Sequence, residues 1–306
     1  MSSSPGLMVF DTLHPPLAYE ESAISSGELR LHAHRMRPTG APRALLRIIH
    51  GYGEHGGRYI AFMRWMAERG VACEAVDLRG HGRSPGPRGY VCRWEEYLDD
   101  VTAFLNAPAP ENAGESESPA PVYVLGHSHG GLIAAAAGER GVFTQAGVAG
   151  CILCSPYVGT RLPVSPGKRL LALVANRLWP SLRVKTGLEQ RWLTSDPQMQ
   201  AENRADALLC RSATPRWYTS LKAVRSRTIS RAANFTLPLL CLAGEADLVA
   251  DPSATADFFR RAGSADKSLY VYPNKVHELL RETGREAIFA EILRWMEARE
   301  MRSAEC

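Results

Sequence analysis

A five-residue turn constrains the fold of this 306-residue chain more than any other feature of its sequence. The segment VYVLGHSHGGLIAAAA (122–137) passes from an apolar strand pattern, through the turn Gly126–Gly130 (GHSHG), into a helix of small residues. A GxSxG turn between a strand and a helix is typical of a nucleophile elbow, because its glycines let strand and helix approach closely. The sequence therefore predicts an α/β-hydrolase fold with Ser128 as the nucleophile.

Short apolar runs alternate with amphipathic stretches on both sides of this turn. The runs ALLRII, VACEAV and LPLLCLAG are typical of buried parallel strands, and YIAFMRWMAERG and REAIFAEILRWMEAREM show helical patterns. The alternation predicts the α/β class, with a mostly parallel sheet flanked by helices. Residues 107–121 are rich in Pro, Ala, Glu and Ser, which predicts a solvated loop.

The charge of the chain is unevenly distributed. Residues 158–231 contain fourteen Lys and Arg but four Asp and Glu, a net charge of +10, while all other residues together carry −6. Strand alternation also stops there, and helical patterns such as KRLLALVANRLW replace it. We therefore expect an inserted helical cap (lid) at 158–231, an α/β-hydrolase core at 28–157 and 232–306, and a loose N-terminal segment at 1–27.

A serine nucleophile needs a base that takes its proton and an acid that orients the base. In this fold the chain order is Ser, acid, His. Of the nine histidines, seven precede Ser128 and His129 lies beside it on the helix, so elimination leaves His277 as the base. Its position, in the loop after the strand pattern SLYVYPN, fits this order.

For the acid we favour Asp247, which ends the apolar run LPLLCLAGEAD. That position lies at the carboxyl edge of the sheet, where ligands bind in open α/β folds. Glu245 and Asp251 remain alternatives. Asp251 precedes Pro252, so its alternative role is to cap the helix PSATADFFRRAG.

Two backbone N–H groups are candidates for the oxyanion hole. The N–H of His129 opens the helix after the nucleophile, where it would point at a developing oxyanion. The glycine-rich segment HGYGEHGGRY follows ALLRII directly, and the N–H of Tyr52 within it is the second candidate. A phosphate-binding loop is the alternative for this segment, but its spacing matches neither GxGxxG nor GxxxxGK[ST].

Several classes of function are not indicated. The seven cysteines are odd in number and scattered, and the pair Cys151 and Cys154 lies in an apparent strand, GVAGCILCSP, which favours core thiols over a metal or redox pair. We expect no metal site and no nucleic-acid partner. The N-terminus lacks a basic start and an apolar run, and no stretch approaches about 18 apolar residues, so we expect a cytoplasmic protein.

Four motifs in order resemble those of one known group, the monoacylglycerol lipase and lysophospholipase group of α/β-hydrolases, which is serine aminopeptidase S33-like. The motifs are HGYGEHGGRY (50–59), DLRGHGRS (77–84), GHSHGG (126–131) and VHE (276–278). The resemblance implies a serine esterase that cleaves carboxylic esters of single-chain lipids, such as a monoacylglycerol or a lysophospholipid, through an acyl-enzyme. It implies no cofactor.

Carried over by position, the resemblance implies Ser128, Asp247 and His277 as the catalytic triad and Tyr52 and His129 as backbone oxyanion donors. Two positions depart from the group. His129 stands where the group commonly has Met, which puts a titratable ring beside the site. Tyr52 is bulkier than the small residue of some members, which predicts a narrower pocket.

Other functions would use the same residues. A peptidase, a thioesterase or an acyltransferase on this fold is one alternative, and a non-catalytic ligand-binding protein on the same scaffold is another. A small-molecule lipid or ester is the expected partner. Our hypothesis for the basic cap is a peripheral contact with anionic membranes. The alternative is that its arginines only solvate helix faces.

Overall fold

The computed structural model describes residues 8–10, 17–108 and 120–304. The strands are β1 (Met8–Phe10), β2 (Leu17–Ser26), β3 (Leu29–Pro38), β4 (Ala44–Ile49), β5 (Val71–Val76), β6 (Val122–His127), β7 (Val148–Cys154), β8 (Val184–Lys185), β9 (Ser212–Ala213), β10 (Leu239–Gly244) and β11 (Lys267–Tyr272). The α-helices are α1 (Ile60–Ala67), α2 (Glu95–Asn106), α3 (His129–Glu139), α4 (Val142–Gln145), α5 (Pro166–Leu178), α6 (Gln190–Leu193), α7 (Pro197–Ala205), α8 (Pro215–Ser230), α9 (Pro252–Arg261) and α10 (Arg285–Ala304).

Nine of the described strands form one sheet, in the order β1-β2-β3-β5-β4-β6-β7-β10-β11. Neighbours from β5 to β11 run parallel, and the three pairs at the β1 end run antiparallel. Parallel neighbours need long crossover connections, which the helices supply. The predicted α/β architecture, a mostly parallel sheet flanked by helices, is confirmed.

Both faces of the sheet are covered by apolar side chains. On one face, α1 and α10 contribute residues such as Phe62 and Ile292, and on the other face α2 and α9 contribute residues such as Phe104 and Phe258. Every residue of β4, β5 and β10 is buried. Strands buried on both faces read as continuous apolar runs rather than alternating ones, which explains the sequence pattern.

The pair Cys151 and Cys154 lies within β7, and both thiols are free and buried. Cys151 belongs to the apolar cluster on one face of the sheet and Cys154 to the cluster on the other. Side chains three apart on a strand point to opposite faces, so these two cannot share a metal ion or form a disulfide without breaking the strand. Their prediction as core thiols is confirmed.

The loose N-terminal segment predicted at 1–27 is wrong for residues 17–26, which form β2. This strand pairs with all ten residues of β3, from Leu17 opposite Pro38 to Ser26 opposite Leu29. Gly27 has a φ of 56°, which lets the chain reverse in a tight turn between the two strands. Leu17 and Ile24 are buried, so β2 contributes to the core.

The predicted cap, residues 158–231, comprises α5 to α8 and the small β8–β9 pair, and it lies in the chain between β7 and β10. Helix α8 buries Trp217, Leu221 and Val224 in the apolar cluster that also contains residues of α2 and α9. In contrast, α5 has no buried residue. The division of the chain into core and cap stays a prediction. Most of the predicted solvated loop at 107–121, residues 109–119, lies outside the described residues.

Among the helices that the structure describes, none combines the length and the apolarity needed to cross a bilayer.

Candidate active site

Ser128 lies in a sharp turn between β6 and α3. Its φ of 52° and ψ of −115° belong to a region that costs a non-glycine residue about 1–3 kcal/mol. A Cβ on Gly130 would overlap the carbonyl oxygen of Ile49 at the end of β4, and one on Gly126 would lie 2.5 Å from the carbonyl oxygen of Gly130. Glycine at both positions therefore lets helix, turn and neighbouring strand pack closely enough to hold the strained serine.

The structure brings Ser128, His277 and Asp247 together from three separate loops. Nε2 of His277 lies 2.8 Å from Oγ of Ser128, and Nδ1 of His277 lies 2.8 Å from Oδ2 of Asp247. A carboxylate can only accept, so Nδ1–H donates to Asp247 and Nε2 is left to accept from the serine hydroxyl. This tautomer is the one that a general base requires.

Asp247 is held in place by backbone groups of the loop after β10. Its Oδ1 accepts hydrogen bonds from the N–H groups of Val249, at 2.8 Å, and Ala250, at 2.9 Å. The side chain is 1% exposed, so both oxygens are engaged away from solvent. One oxygen thus fixes the carboxylate, and the other orients the imidazole.

The two alternative acids lie elsewhere. Oδ1 of Asp251 accepts from the N–H of Ser253 at 2.9 Å and caps the first turn of α9, as the sequence suggested. Oε2 of Glu245 accepts from the N–H of Asn274 at 3.3 Å. Of the three carboxylates, the structure therefore places Asp247 on His277.

Burial and charge act in opposite directions on His277. Burial disfavours the protonated ring, but the charge of Asp247 and its hydrogen bond outweigh burial, and the pKa of His277 is raised above its ordinary value of 6.5. A raised pKa means that the site stabilises the imidazolium that forms when the ring accepts a proton. The ring is therefore suited to act as a base whose protonated form is stabilised.

The segment 51–59 after β4 lies directly against Ser128. A Cβ on Gly51 would be 3.2 Å from Cβ of Ser128, so only glycine allows this approach without displacement. Tyr52 follows in this segment, and His129 is the first residue of α3. Both candidate oxyanion donors therefore belong to backbone that adjoins Ser128.

A buried ionic chain connects this segment to the histidine loop, and the sequence analysis did not foresee it. Glu54 accepts from the N–H of Gly51, at 2.6 Å, and pairs with Arg58 at 3.0 Å. Arg58 in turn lies 2.7 Å from Glu278, the residue after His277. Although burial disfavours the ionised form, the charge of Arg58 holds the pKa of Glu54 well below its ordinary value. All three charged residues lie within the motifs HGYGEHGGRY and VHE, so the sequence marked the residues but not their pairing.

The side chain of His129 lies away from the triad in a cluster of aromatic rings. Its ring centroid is 4.9 Å from that of Tyr97 and 5.5 Å from that of Trp217, and the side chain is almost fully buried. Burial lowers the pKa of His129 well below its ordinary value. The ring is therefore neutral and adds no charge beside the site.

The side chain of Tyr52 joins the core to the predicted cap. Its ring centroid lies 3.7 Å from that of Trp217, and its hydroxyl lies within hydrogen-bond distance of two carbonyl oxygens, those of Gly89, at 3.1 Å, and Ser212, at 3.0 Å. The bulk of Tyr52 thus fills the space beneath α8. His81 and Arg79 brace the loop after β5, where Arg79 forms a bidentate pair with Asp100.

Comparisons with known proteins agree with this geometry. A family model described as serine aminopeptidase, S33, matches residues 40–284. Human monoglyceride lipase is 32% identical over 270 residues, which cover 86% of this chain and 85% of that protein. Phospholipase YtpA of Bacillus subtilis is 29% identical over 249 residues, 81% of this chain and 93% of that protein. The crystal structure of Paleococcus ferrophilus monoacylglycerol lipase has a TM-score of 0.76 at 25% identity and covers 88% of this chain and 99% of its own.

Proposed function

The chain belongs to the serine aminopeptidase S33 family of α/β-hydrolases, and on this premise we propose that it is a lipid ester hydrolase with Ser128 as its nucleophile. The observation that carries the proposal is the position of His277, which lies 2.8 Å from both the serine hydroxyl and the Asp247 carboxylate. Relatives that match most of the chain are named monoglyceride lipase and phospholipase, which supports an ester of a single-chain lipid as the substrate.

The geometry supports an acyl-enzyme mechanism. Oγ of Ser128 attacks the ester carbonyl carbon while Nε2 of His277 takes the hydroxyl proton, which gives a tetrahedral intermediate. The imidazolium then protonates the leaving alcohol oxygen, the carbon–oxygen bond breaks, and the acyl group remains on Ser128. A water molecule attacks this acyl-enzyme while His277 takes its proton. The imidazolium then returns the proton to Oγ of Ser128 as the bond between Oγ and the acyl carbon breaks, which releases the carboxylic acid and restores the serine.

Two backbone N–H groups, those of Tyr52 and His129, are the proposed donors to the oxyanion. Loss of one such donor typically costs about 10²–10³ in kcat. The aromatic rings of Tyr97, Trp94 and Trp217 pack around the His129 ring next to these groups. Their exclusion of water lowers the local dielectric constant, which strengthens hydrogen bonds to the developing charge.

Substrate profiling tests the proposed activity. We expect wild-type protein to hydrolyse monoacylglycerol and lysophosphatidylcholine, and Ser128→Ala to lose about 10⁶-fold in kcat. A panel of p-nitrophenyl esters of rising chain length measures acyl preference, and Ser155→Ala is the control, since Ser155 is a buried serine at the end of β7 with a φ of 44°. Turnover that persists in Ser128→Ala would remove the proposed nucleophile, and turnover of peptides without esters would remove the proposed substrate.

We also propose that the predicted cap, 158–231, contacts anionic lipid surfaces through α5. Leu171 is 67% exposed, Leu178 is 79% exposed, and Trp179 just beyond the helix is 65% exposed. Basic residues accompany them along this part of the chain, whereas the stretch 158–188 contains no acidic residue. These are Arg161, Lys168, Arg169, Arg177, Arg183 and Lys185. Apolar side chains beside basic ones are typical of helices that lie in a membrane interface.

Vesicle sedimentation tests this contact. We expect salt-sensitive binding to vesicles that contain phosphatidylglycerol and weaker binding to pure phosphatidylcholine, with about a fivefold loss for each basic residue replaced. Lys168→Glu and Arg169→Glu should weaken binding, while Arg261→Glu on the exposed surface of α9 serves as the matched control. Equal binding to both vesicle types, or an equal effect of the control, would contradict the contact.

A further inference from the structure

A second group of metal-ligating side-chain types lies outside the triad, at the β3 side of the sheet. His34 on β3, His55 in the segment after β4 and Asp77 after β5 approach one another, with one ligand-type atom of each within 4.8 Å of the others. All three residues are more than nine-tenths buried. No spacing motif in the sequence indicates this group, because its members come from three separate elements.

Hydrogen bonding fixes the tautomer of His34. The hydroxyl of Tyr19 donates to Oε1 of Glu21 at 3.1 Å, and its oxygen lies 2.8 Å from Nδ1 of His34. A hydroxyl has one hydrogen, and a carboxylate can only accept, so Nδ1–H of His34 is the donor to Tyr19. Nε2 of His34 has no hydrogen-bond partner among the described residues. Nε2 therefore presents a lone pair to the group.

His55 is arranged in the same way. Its Nε2 lies 2.9 Å from Oδ2 of Asp206, which only accepts, so Nε2 carries the hydrogen. In the neutral ring Nδ1 then carries the lone pair, and in the described part of the chain this buried atom has no hydrogen-bond partner. Gly57 borders the space between the rings, since a Cβ there would lie 3.0 Å from Nδ1 of His55 and 3.3 Å from Cε1 of His34.

Asp77 completes the group as a third electron-pair donor. Its Oδ1 accepts from the N–H of Gly56 at 2.6 Å, and its Oδ2 accepts from the N–H of Arg83 at 2.8 Å. Oδ1 lies 3.9 Å from Nε2 of His34, which is too long for a hydrogen bond. Two imidazole nitrogens and a carboxylate oxygen thus face one another with no hydrogen shared between them.

We propose that His34, His55 and Asp77 bind a divalent transition-metal ion, with zinc as the first candidate. Two imidazole nitrogens and a carboxylate oxygen are a ligand set that zinc takes readily. The outer hydrogen bonds to Tyr19 and Asp206 fix the ring orientations, as partners behind metal-bound histidines commonly do. Tetrahedral zinc ligands lie about 3.3 Å apart at bond lengths near 2.0 Å, so side-chain shifts of roughly 1 Å or less would close the site.

The neighbouring residues Glu21 and His32 form an overlapping group with His34 on its more exposed side. The rings of His32 and His34 lie 4.7 Å apart, and Nε2 of His32 lies 3.7 Å from Oε2 of Glu21. Of the three residues in this overlapping group, only His34 also belongs to the buried group. A metal ion at the buried site would tie the segment that contains Tyr52 to β3 and β5, and so would stiffen the backbone beside Ser128.

Metal retention tests the proposal. Full-length protein without a histidine tag, stripped with a chelator, is equilibrated with zinc or cobalt(II) alone, passed through gel filtration and analysed by elemental mass spectrometry. We expect about one ion per chain, visible absorption bands of four-coordinate cobalt(II), and a rise in Tm with added zinc. His34→Gln and Asp77→Asn should lose all three signals, whereas His32→Gln, which leaves the three proposed ligands intact, should keep them.

His277 is intact in every one of these variants, so metal bound at the triad would be retained by all of them. Retention by His34→Gln equal to that of wild type would overturn the site, as would a wild type that retains less than a tenth of an equivalent. Ester hydrolysis and circular dichroism identify folded variants. If His34→Gln fails to fold, His55→Gln provides the same comparison through a loop residue instead of a strand residue.

Discussion

The loops that contain Ser128, His277 and Asp247 differ from the predicted cap (158–231) in the solvent exposure of their side chains. Ser128, His277 and Asp247 are 7%, 3% and 1% exposed, and each makes a hydrogen bond that the fold fixes. In the cap, α5 leaves Leu171 and Leu178 mostly exposed and packs none of its residues into the core. The proposed catalytic residues thus lie in a buried, hydrogen-bonded arrangement, whereas α5 leaves its apolar side chains open to solvent.

After the loss of Ser128 itself, removal of the carboxylate behind His277 should lower activity the most. Asp247→Asn should lower kcat by about 10⁴-fold, because an amide can hold the imidazole in the wrong tautomer and no longer stabilises its cation. Asp251→Asn is the matched control, since this residue caps α9 four positions away. Steady-state kinetics on a monoacylglycerol measures both variants. An equal loss in the two would mean that Asp247 acts only through the structure of its loop.

Stability should follow the same contrast between core and cap. Leu46→Ala in β4, where the side chain is 0% exposed, should lower the free energy of unfolding by about 2–5 kcal/mol. Leu171→Ala on α5 should change it by less than about 0.5 kcal/mol, because the side chain is already in water. Urea denaturation followed by circular dichroism compares the two. A large loss for Leu171→Ala would show that α5 packs more tightly than its exposure indicates.

The smallest effect concerns pH. His277 must be neutral to act as a base, so its raised pKa places the acid limb of kcat/KM above pH 6.5, with about a tenfold fall per pH unit below the midpoint. The contribution of this ring to folding stability depends on pH in the opposite direction. The folded state favours the protonated ring, so this contribution is present below pH 6.5 and is lost as pH rises through the folded-state pKa.

Four other buried histidines differ from His277 in the direction of their pKa shifts. Burial lowers the pKa values of His50, His81, His127 and His129 below the ordinary value of 6.5, whereas the pKa of His277 is raised above it. A pH profile of kcat/KM between pH 5 and 9 provides the measurement. A midpoint at or below 6.5 would show that Asp247 does not stabilise the imidazolium in the free enzyme.

Local patterns predicted most of the fold and the site. The strand–turn–helix pattern around Ser128 could be recognised in the sequence, because close contacts within this short segment and with the neighbouring strand require glycine at 126 and 130. His277 could be found by elimination, since chain order restricts the base. Cys151 and Cys154 could be assigned to a strand because strand periodicity places them on opposite faces.

Long-range pairing was the part that the sequence did not reveal. Strand β2 is mixed in polarity and is stabilised by its pairing with β3, which no local pattern records. Arg47 in β4 and Glu74 in β5 are buried as an ion pair at 2.9 Å. The apolar neighbours of each residue in its own strand would instead predict an apolar side chain at that position. The Glu54–Arg58–Glu278 chain and the group around His34 likewise join residues that only the folded chain brings together.

The residue that carries the acyl group during turnover identifies the nucleophile directly. A monoacylglycerol or an activated ester is mixed with the enzyme, quenched in acid within milliseconds and digested for mass spectrometry. We predict one acyl group per chain, on the peptide that contains Ser128, with none on the Ser128→Ala protein. An acyl group on another residue, or full turnover with no acylated Ser128 at any quench time, would show that Ser128 does not form the acyl-enzyme.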